Sequence, residues 1–298
     1  MKLRSLRFRV DEMLVPPVRF MALLVIYQLL RVLFYLMNAS LFPNITLQSW
    51  PRIIEGGLRF DISALVYLNL AYFLFHYLSF RAKTRNVKVR RSIDVLFVLL
   101  NAIGIAGSCI DLIYYRFILK RTTFGVLDIL KGEDNMGSLW IHFLVEYWYV
   151  FLIFFAFVGA LIVLTLITRP RESRLRDTVP YVAGSIVAFV VVVILSVGGI
   201  RGGFLHSTRP IAMSNAAAYT TSPEESAVVL NTPFCFIRTI GKNSFPKNRY
   251  YDDDSKMAEV FTPVHPAPLD SASMGNRKNV VIFIMESFSR EFFGSLNP

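Results

Sequence analysis

Two groups of residues in this sequence have types and positions suited to binding or catalysis. Five ionisable residues lie within or at the ends of long apolar runs: Arg59, Asp61, Asp111, His142 and Glu146. A charged side chain in the hydrocarbon of a membrane costs about 3 kcal/mol, so such residues mark a functional site or a buried pair. The second group is Glu286, which directly follows the apolar, β-branched run 279–285. A carboxylate there would lie at the ligand-binding carboxyl edge of a parallel sheet, or would only cap the next helix, whose dipole favours an acid.

The composition indicates which elements position these residues. Of the 298 residues, 54% are hydrophobic, above the roughly 45–50% of soluble domains. The excess lies in long apolar blocks, which places the chain among integral membrane proteins. The net charge of +11 comes from basic residues in short runs between these blocks. We interpret these runs as topology signals and expect no nucleic acid as a partner. The two cysteines, Cys109 and Cys235, indicate no disulfide framework.

Five segments are long and apolar enough to cross a membrane, because a spanning helix needs about 20 mostly apolar residues. They are 18–41, 58–80, 93–115, 139–168 and 179–200. The first exceeds the apolar core of a signal peptide, so we expect an uncleaved anchor. The fourth is long enough to tilt or to extend past the bilayer.

Lysine and arginine set the orientation, because they are enriched in cytoplasmic loops. Three regions are strongly basic: 1–9, 81–91 and 169–176. With five spans these regions lie on one side of the membrane, whereas the other loops are poorer in net positive charge. We therefore expect a multi-pass protein of the cytoplasmic (plasma or inner) membrane. Its N-terminus would be cytoplasmic, and everything after Ile200 would be extracytoplasmic.

In this orientation the five ionisable residues lie at one depth, near the outer ends of the second, third and fourth spans. A pocket for a charged lipid headgroup would need that placement, and we assign it to Arg59, Asp61, Asp111, His142 and Glu146. The alternative is that these side chains pair with one another or contact interfacial water. Arg31 and Asn101 lie deeper, and we interpret them as helix-packing or snorkelling groups.

Short helices are predicted after the fifth span. Residues 222–225 (Ser-Pro-Glu-Glu) have the serine, proline and glutamate of a helix start. Thr232 and Pro233 restart or kink that helix, and Gly241 ends it. The proline-containing residues 262–278 read as a linker.

The run 279–285 predicts a strand buried on both faces, as in a parallel α/β sheet. Residues 278–288, which include Met285-Glu286-Ser287, resemble the opening strand of the alkaline phosphatase/sulfatase superfamily. More narrowly, they resemble the lipoteichoic acid synthase-like phosphoglycerol transferases. The five-span layout with an outward carboxyl terminus, residues 57–61 (Gly-Leu-Arg-Phe-Asp) and residues 201–203 (Arg-Gly-Gly) are similar to that family as well.

The expected fold is therefore an α-helical membrane protein with five transmembrane helices, followed by the first strand of a truncated α/β alkaline phosphatase/sulfatase-like extracytoplasmic domain. Three regions are expected. Residues 1–200 would form the transmembrane domain, 201–277 extracytoplasmic juxtamembrane helices and a linker, and 278–298 the start of the sulfatase-like catalytic domain.

The resemblance implies that Glu286 is a ligand of a catalytic divalent metal, Mn²⁺ or Mg²⁺, and a carboxylate suits such a hard cation. The family's threonine nucleophile and its Asp and His ligands would come after Pro298, so no catalytic nucleophile is assigned within this sequence. We therefore expect the 298-residue chain alone to be inactive. The implied activity transfers a phosphoglycerol-type group from a membrane lipid donor to an extracytoplasmic glycan or glycolipid acceptor, through a phospho-threonine intermediate.

Three alternatives remain. A phosphoethanolamine transferase shares the architecture, although its first strand more often has Gly-Glu-Thr where this chain has Met285-Glu286-Ser287. A sulfatase or phosphodiesterase would release its product to water. A non-enzymatic membrane anchor or transporter subunit is the alternative of another class, but the sequence shows no internal repeat of the kind that transporters often have.

Overall fold

The computed structural model describes residues 10–126, 145–173, 175, 177–203, 210–242, 250–251, 254–261 and 281. The protein is mostly helical, and five of the described helices are long and apolar enough to cross a membrane. These are α1 (Val15–Met37), α2 (Trp50–Leu78), α4 (Val87–Ile118), α5 (Trp148–Ile167) and α6 (Thr178–Arg201), with the short α3 (Ala82–Arg85) before α4. The prediction of five apolar spanning helices is confirmed.

Local signals decide where these helices begin. Helix α2 has a proline in its first turn, a position where the missing N–H costs nothing. The side chain of Asn86 caps α4 by accepting a hydrogen bond from the backbone N–H of Lys88 at 2.9 Å. Both helices therefore start before the apolar segments 58–80 and 93–115. The fourth described helix begins at Trp148, and residues 139–144 of the predicted fourth segment lie outside the described residues.

One end of the bundle, which we call the basic end, holds the α2–α4 connection, the α5–α6 connection and residues 10–14, which follow the basic region 1–9 in the sequence. Strand β1 (Val10–Asp11) pairs in parallel with β2 (Pro170–Arg171). Arg85, at the end of α3, forms an exposed ion pair of 3.2 Å with Glu172. Residues 10–14, the α2–α4 connection and the α5–α6 connection thus share one end, because two spanning helices separate each of these segments from the next.

The opposite end carries a cap, formed by residues 210–242. It contains a 3₁₀ helix (Met213–Tyr219), α7 (Ser226–Val229) and α8 (Thr232–Thr239). The ring of Phe234 meets the ring of Phe60 from α2 at a centroid distance of 4.9 Å, and both side chains are fully buried. Burying a side chain of this size contributes about 1.5–3 kcal/mol. The cap is therefore a packed part of the compact unit Met1–Ser244.

The cap corrects one sequence-based expectation and confirms another. No helix begins at Ser222; α7 begins at Ser226, because residues 221–225 form a turn in which Glu225 accepts from the backbone N–H of Thr221 at 3.0 Å. Helix α8 does begin at Thr232, where Asn231 provides the N-cap. Past its end, Gly241 has a φ of +71°, a conformation that favours glycine.

A second compact unit comprises Phe245–Pro298. Its described residues include the short helix α9 (Asp254–Val260) and a few residues outside it. The predicted linker 262–278 and Glu286 lie outside the described residues, as does all of the predicted strand 279–285 except Val281. The expected α/β domain is therefore not shown.

Candidate functional site

A buried ion pair connects α1 to α2 beneath the cap. Nη2 of Arg31 lies 2.6 Å from Oδ1 of Asp61, and both side chains are almost completely inaccessible to solvent. The carboxylate of Asp61 also accepts from Nε2 of Gln28 at 2.9 Å and from Nδ2 of Asn231 at 2.7 Å. A buried charge is tolerated only when it is paired and hydrogen-bonded, and Asp61 meets both conditions.

Arg31 also binds the backbone of the cap. Its Nη1 donates to the carbonyl oxygens of Val228, at 2.5 Å, Val229, and Leu230, at 3.5 Å. Carbonyl groups at the end of a helix have no donor within the helix, and these three lie at the end of α7. The guanidinium of Arg31 therefore joins α1, α2 and the cap in one contact.

Asp111 of α4 is the centre of a second buried network. It accepts from the backbone N–H of Thr122 at 3.0 Å, from its hydroxyl, and from the hydroxyl of Thr232 at 2.5 Å. Nη1 of Arg121 lies 3.5 Å away. Nε of Arg121 donates to the carbonyl of Ala227 at 2.8 Å, and its guanidinium lies over the ring of Phe34 at 3.4 Å.

The two networks meet at the start of α8. Asn231 binds Asp61, and the next residue, Thr232, binds Asp111. The side-chain oxygen of Asn231 accepts from the backbone N–H of Phe234 at 2.8 Å, which caps the helix. A negative charge near the N-terminus of a helix is stabilising. Two carboxylates from two spanning helices therefore fix the position of α8.

Glycines make room for this arrangement. A Cβ on Gly57 would lie 2.4 Å from Cζ of Arg31, and one on Gly104 would lie 2.3 Å from the hydroxyl oxygen of Tyr27. A Cβ on Gly56 would lie 2.5 Å from Cγ of Tyr219. Larger residues at these positions would push the α1 side chains and the cap away from α2 and α4.

The structure describes four of the five residues assigned to a headgroup pocket. Asp61 and Asp111 bind neighbouring residues of the cap, but their carboxylates are buried and their bonds are made within the protein. Arg59 is exposed, pairs with Glu55 at 3.2 Å and lies over the ring of Tyr219 at 5.6 Å. Glu146 is exposed in the described residues, and His142 lies outside them. The described members of the set do not form an open pocket together.

Sequence reasoning missed Arg31, Arg121, Asn231 and Thr232 as members of this site. For Arg31 a signal existed, because a cation inside an apolar run needs a partner. It does not snorkel, since its whole side chain is buried. Asn101 does have the expected packing role: its amide and that of Asn69 exchange two hydrogen bonds, of 2.9 and 3.0 Å, between α4 and α2.

The basic end holds a third buried pair. Nζ of Lys83 lies 3.8 Å from Oε2 of Glu12, and both side chains are buried. Burial raises the pKa of Glu12 above its usual value, which the Lys83 charge opposes, and burial lowers the pKa of Lys83, which the Glu12 charge opposes. The backbone carbonyl of Glu12 also lies 2.7 Å from Nε2 of His76. These contacts attach the N-terminal arm to α2 and α3.

Metal binding stays a prediction. Glu286 lies outside the described residues, and within the described ones no group of three or more His, Cys, Asp or Glu side chains could hold a metal ion. The buried carboxylates of Asp61 and Asp111 are bonded to protein donors instead.

No family model, no curated protein and no solved structure matches the chain. The resemblance to phosphoglycerol transferases therefore depends on the motif residues and the five-span layout alone. The bonding of the cap to the bundle stands independently of that resemblance.

Proposed function

We propose that this chain is the membrane portion of a metal-dependent transferase. The enzyme moves a phosphoglycerol-type group from a lipid donor to an extracytoplasmic glycan or glycolipid. The observation that supports this most is the attachment of the cap to the bundle through Arg31, Asp61, Asp111 and Arg121. A cap held in this way keeps the chain that leaves it next to one membrane surface, where a lipid donor is at high local concentration.

The orientation is part of the proposal. Arg81, Arg85 and Arg171 lie at the basic end, and the positive-inside rule assigns such an end to the cytoplasm. The cap end then faces the exterior of the cytoplasmic membrane. Glycan and glycolipid acceptors of the proposed kind are found on that side.

The chemistry depends on the motif around Glu286. The resemblance implies that a threonine oxygen would attack phosphorus while the lipid alcohol leaves, and that the acceptor hydroxyl would displace the threonine in a second step. A divalent cation bound by Glu286 would supply charge stabilisation at the phosphoryl oxygens. The headgroup role of Arg59 and Glu146 belongs to the same proposal, because both side chains are exposed.

The test uses the whole protein, reconstituted in vesicles with headgroup-labelled phosphatidylglycerol and Mn²⁺. We expect diacylglycerol to form and the label to reach an added glycolipid acceptor. Glu286→Gln should abolish both, whereas Glu291→Gln, a nearby acidic residue outside the matched motif, should retain them. A wild-type protein that releases no headgroup from phosphatidylglycerol would refute the proposal.

A non-enzymatic anchor is the second candidate. It is favoured by one observation: Asp61 and Asp111 are bonded to the cap rather than open to a ligand. An anchor would hold a partner at the membrane without headgroup release. The same vesicle assay separates the two functions, because only the transferase forms diacylglycerol.

A further inference from the structure

One face of α4 is exposed along most of the helix. Its residues are separated by three, four or seven positions, which places them on one side of a helix. They are Lys88, Arg91, Ser92, Val95, Leu99, Ile103 and Ile110. The apolar ones form a stripe, in which Val95, Leu99 and Ile103 are between 55% and 68% exposed. Since α4 is apolar enough to cross a membrane, this stripe contacts lipid chains in a bilayer, and two cations lie where it ends.

The length of α4 places these cations at the level of lipid headgroups. The helix has 32 residues, which is about 48 Å, whereas the hydrocarbon core of a bilayer is about 30 Å thick. Arg91 and Lys88 precede Val95 by four and seven residues, or about 6 and 10 Å along the axis. The first turns of α4 therefore extend out of the hydrocarbon at the basic end.

The two cations have no acid to neutralise them in the part of the chain that the structure describes. Both side chains are exposed. Other cations of the basic end do have acidic partners: Arg19 pairs with Asp94 at 2.7 Å, Lys83 with Glu12 at 3.8 Å and Arg85 with Glu172 at 3.2 Å. Lys88 and Arg91 are thus two open positive charges beside a surface that lipid chains cover.

The spacing of these side chains determines which group they can bind. Residues three or four apart on a helix have Cβ atoms about 5–6 Å from each other, so Lys88, Arg91 and Ser92 can reach one group together. Ammonium and guanidinium groups only donate hydrogen bonds, and a hydroxyl can donate a third. An oxyanion with several acceptor oxygens satisfies all three. A phosphate monoester, with a charge of about −1.5 to −2 near neutral pH, matches two cations.

We propose that the first turns of α4 bind the phosphate of an anionic phospholipid in the leaflet at the basic end, while its acyl chains lie along Val95, Leu99 and Ile103. The apolar stripe favours a lipid over a soluble phosphate, because it continues directly from the two cations. The site lies at the end of the bundle opposite the cap. The bound lipid is therefore no reactant of the proposed transferase, and its binding does not depend on that activity.

The experiment measures the lipids that the whole protein retains when it is released from nanodiscs containing equal amounts of phosphatidylcholine and phosphatidic acid, by native mass spectrometry. Phosphatidic acid has no headgroup alcohol to transfer, so failure of this test leaves the transferase proposal intact. We expect about one retained phosphatidic acid per protein and several-fold less phosphatidylcholine. Equal retention of the two lipids would overturn the proposal.

A double variant, Lys88→Gln with Arg91→Gln, tests the site itself. Each cation near an anionic lipid surface strengthens binding about fivefold, so the pair should lower the retention of phosphatidic acid more than tenfold. Lys88→Arg keeps the charge and should keep the lipid. Unchanged retention in the double variant would overturn the proposal.

Two controls separate a site from overall charge. Arg90→Gln removes a charge at the same depth, but Arg90 is two residues from Lys88 and lies on another face of α4, in line with the fully buried Phe97. Arg52→Gln with Lys120→Gln removes two exposed charges at the cap end. Both controls should retain phosphatidic acid as the wild type does. A loss in either control as large as in the Lys88 and Arg91 double variant would show that net charge alone attracts the lipid.

Discussion

Arg31 of α1 lies 2.6 Å from Asp61 of α2, and the same guanidinium binds the carbonyl of Val228 in the cap. One side chain thus bonds to residues 30 and 197 positions away in the sequence. A residue that joins two spanning helices and the segment beyond the last one should control both stability and cap docking.

Removing this cation should release the cap. Arg31→Met leaves Asp61 buried without its charge partner, and breaking such a pair costs about 3–5 kcal/mol. We expect a lower unfolding midpoint in detergent and faster maleimide labelling of Cys235, which is 1% exposed in α8. A Cys109→Ala background makes Cys235 the single reactive thiol.

Arg52→Met is the matched control, because Arg52 is exposed and has no ion pair among the described residues. It should change the free energy of unfolding by less than about 1 kcal/mol. If Arg31→Met and Arg52→Met label Cys235 at the same rate, Arg31 does not hold the cap in place.

Gly57 should be as sensitive as Arg31 itself. In Gly57→Ala the new Cβ would overlap the guanidinium of Arg31, which Asp61 and the cap carbonyls prevent from moving aside. We expect a loss of at least about 2 kcal/mol, in the range of overpacked cores. Gly159→Ala should be neutral or slightly stabilising, since alanine favours helix. Thermal unfolding monitored by tryptophan fluorescence compares the two, and a stable Gly57→Ala protein would contradict the tight packing of Arg31.

Much of the architecture could be predicted because hydropathy is a property of consecutive residues. The five spans follow from apolar runs. The connections after the second and fourth spans share one end because two spans lie between them. Helix starts were less predictable, since Asn86 extends α4 beyond its apolar run. The boundary depends on one side-chain hydrogen bond that hydropathy does not register.

The site was only half predictable, for a different reason. Asp61 and Asp111 stand out as acids in apolar runs, and their level in the membrane follows from counting residues. Their partners Asn231 and Thr232 lie 170 and 121 residues away. Only the folded chain brings α8 against the bundle, so the sequence could not distinguish an open pocket from a closed network.

The buried pair Glu12–Lys83 should respond to both mutation and pH. Lys83→Met leaves the Glu12 carboxylate without its cation and should destabilise the protein by about 3–5 kcal/mol at pH 8. The folded-state pKa of Glu12 is raised above its ordinary value of 4.5. The folded protein therefore holds a proton that the unfolded chain loses between 4.5 and that raised pKa, and stability falls as pH rises through this window.

The Lys83 charge lowers the pKa of Glu12, so removing it raises that pKa further. The loss of stability in Lys83→Met should therefore shrink as the pH is lowered from 8 towards 5, as measured by chemical unfolding in detergent. The double variant Glu12→Gln with Lys83→Met should recover most of the loss, because neither charge remains buried. Arg85→Met is the control, since its pair with Glu172 is exposed and worth less than about 1 kcal/mol. A deficit independent of pH would show that Lys83 acts through packing alone.

The orientation can be tested with single cysteines at the two ends of the bundle. Gln48→Cys lies in the exposed connection between α1 and α2 at the cap end, and Lys88→Cys lies at the exposed start of α4 at the basic end. Cys109 and Cys235 are buried and are replaced by alanine. In right-side-out membrane vesicles an impermeant maleimide should label Gln48→Cys at once and Lys88→Cys only after lysis, because the proposed orientation places the basic end in the cytoplasm. The reverse pattern would place the cap in the cytoplasm, away from any extracytoplasmic acceptor, and labelling of both before lysis would contradict the arrangement in which α2 crosses the membrane.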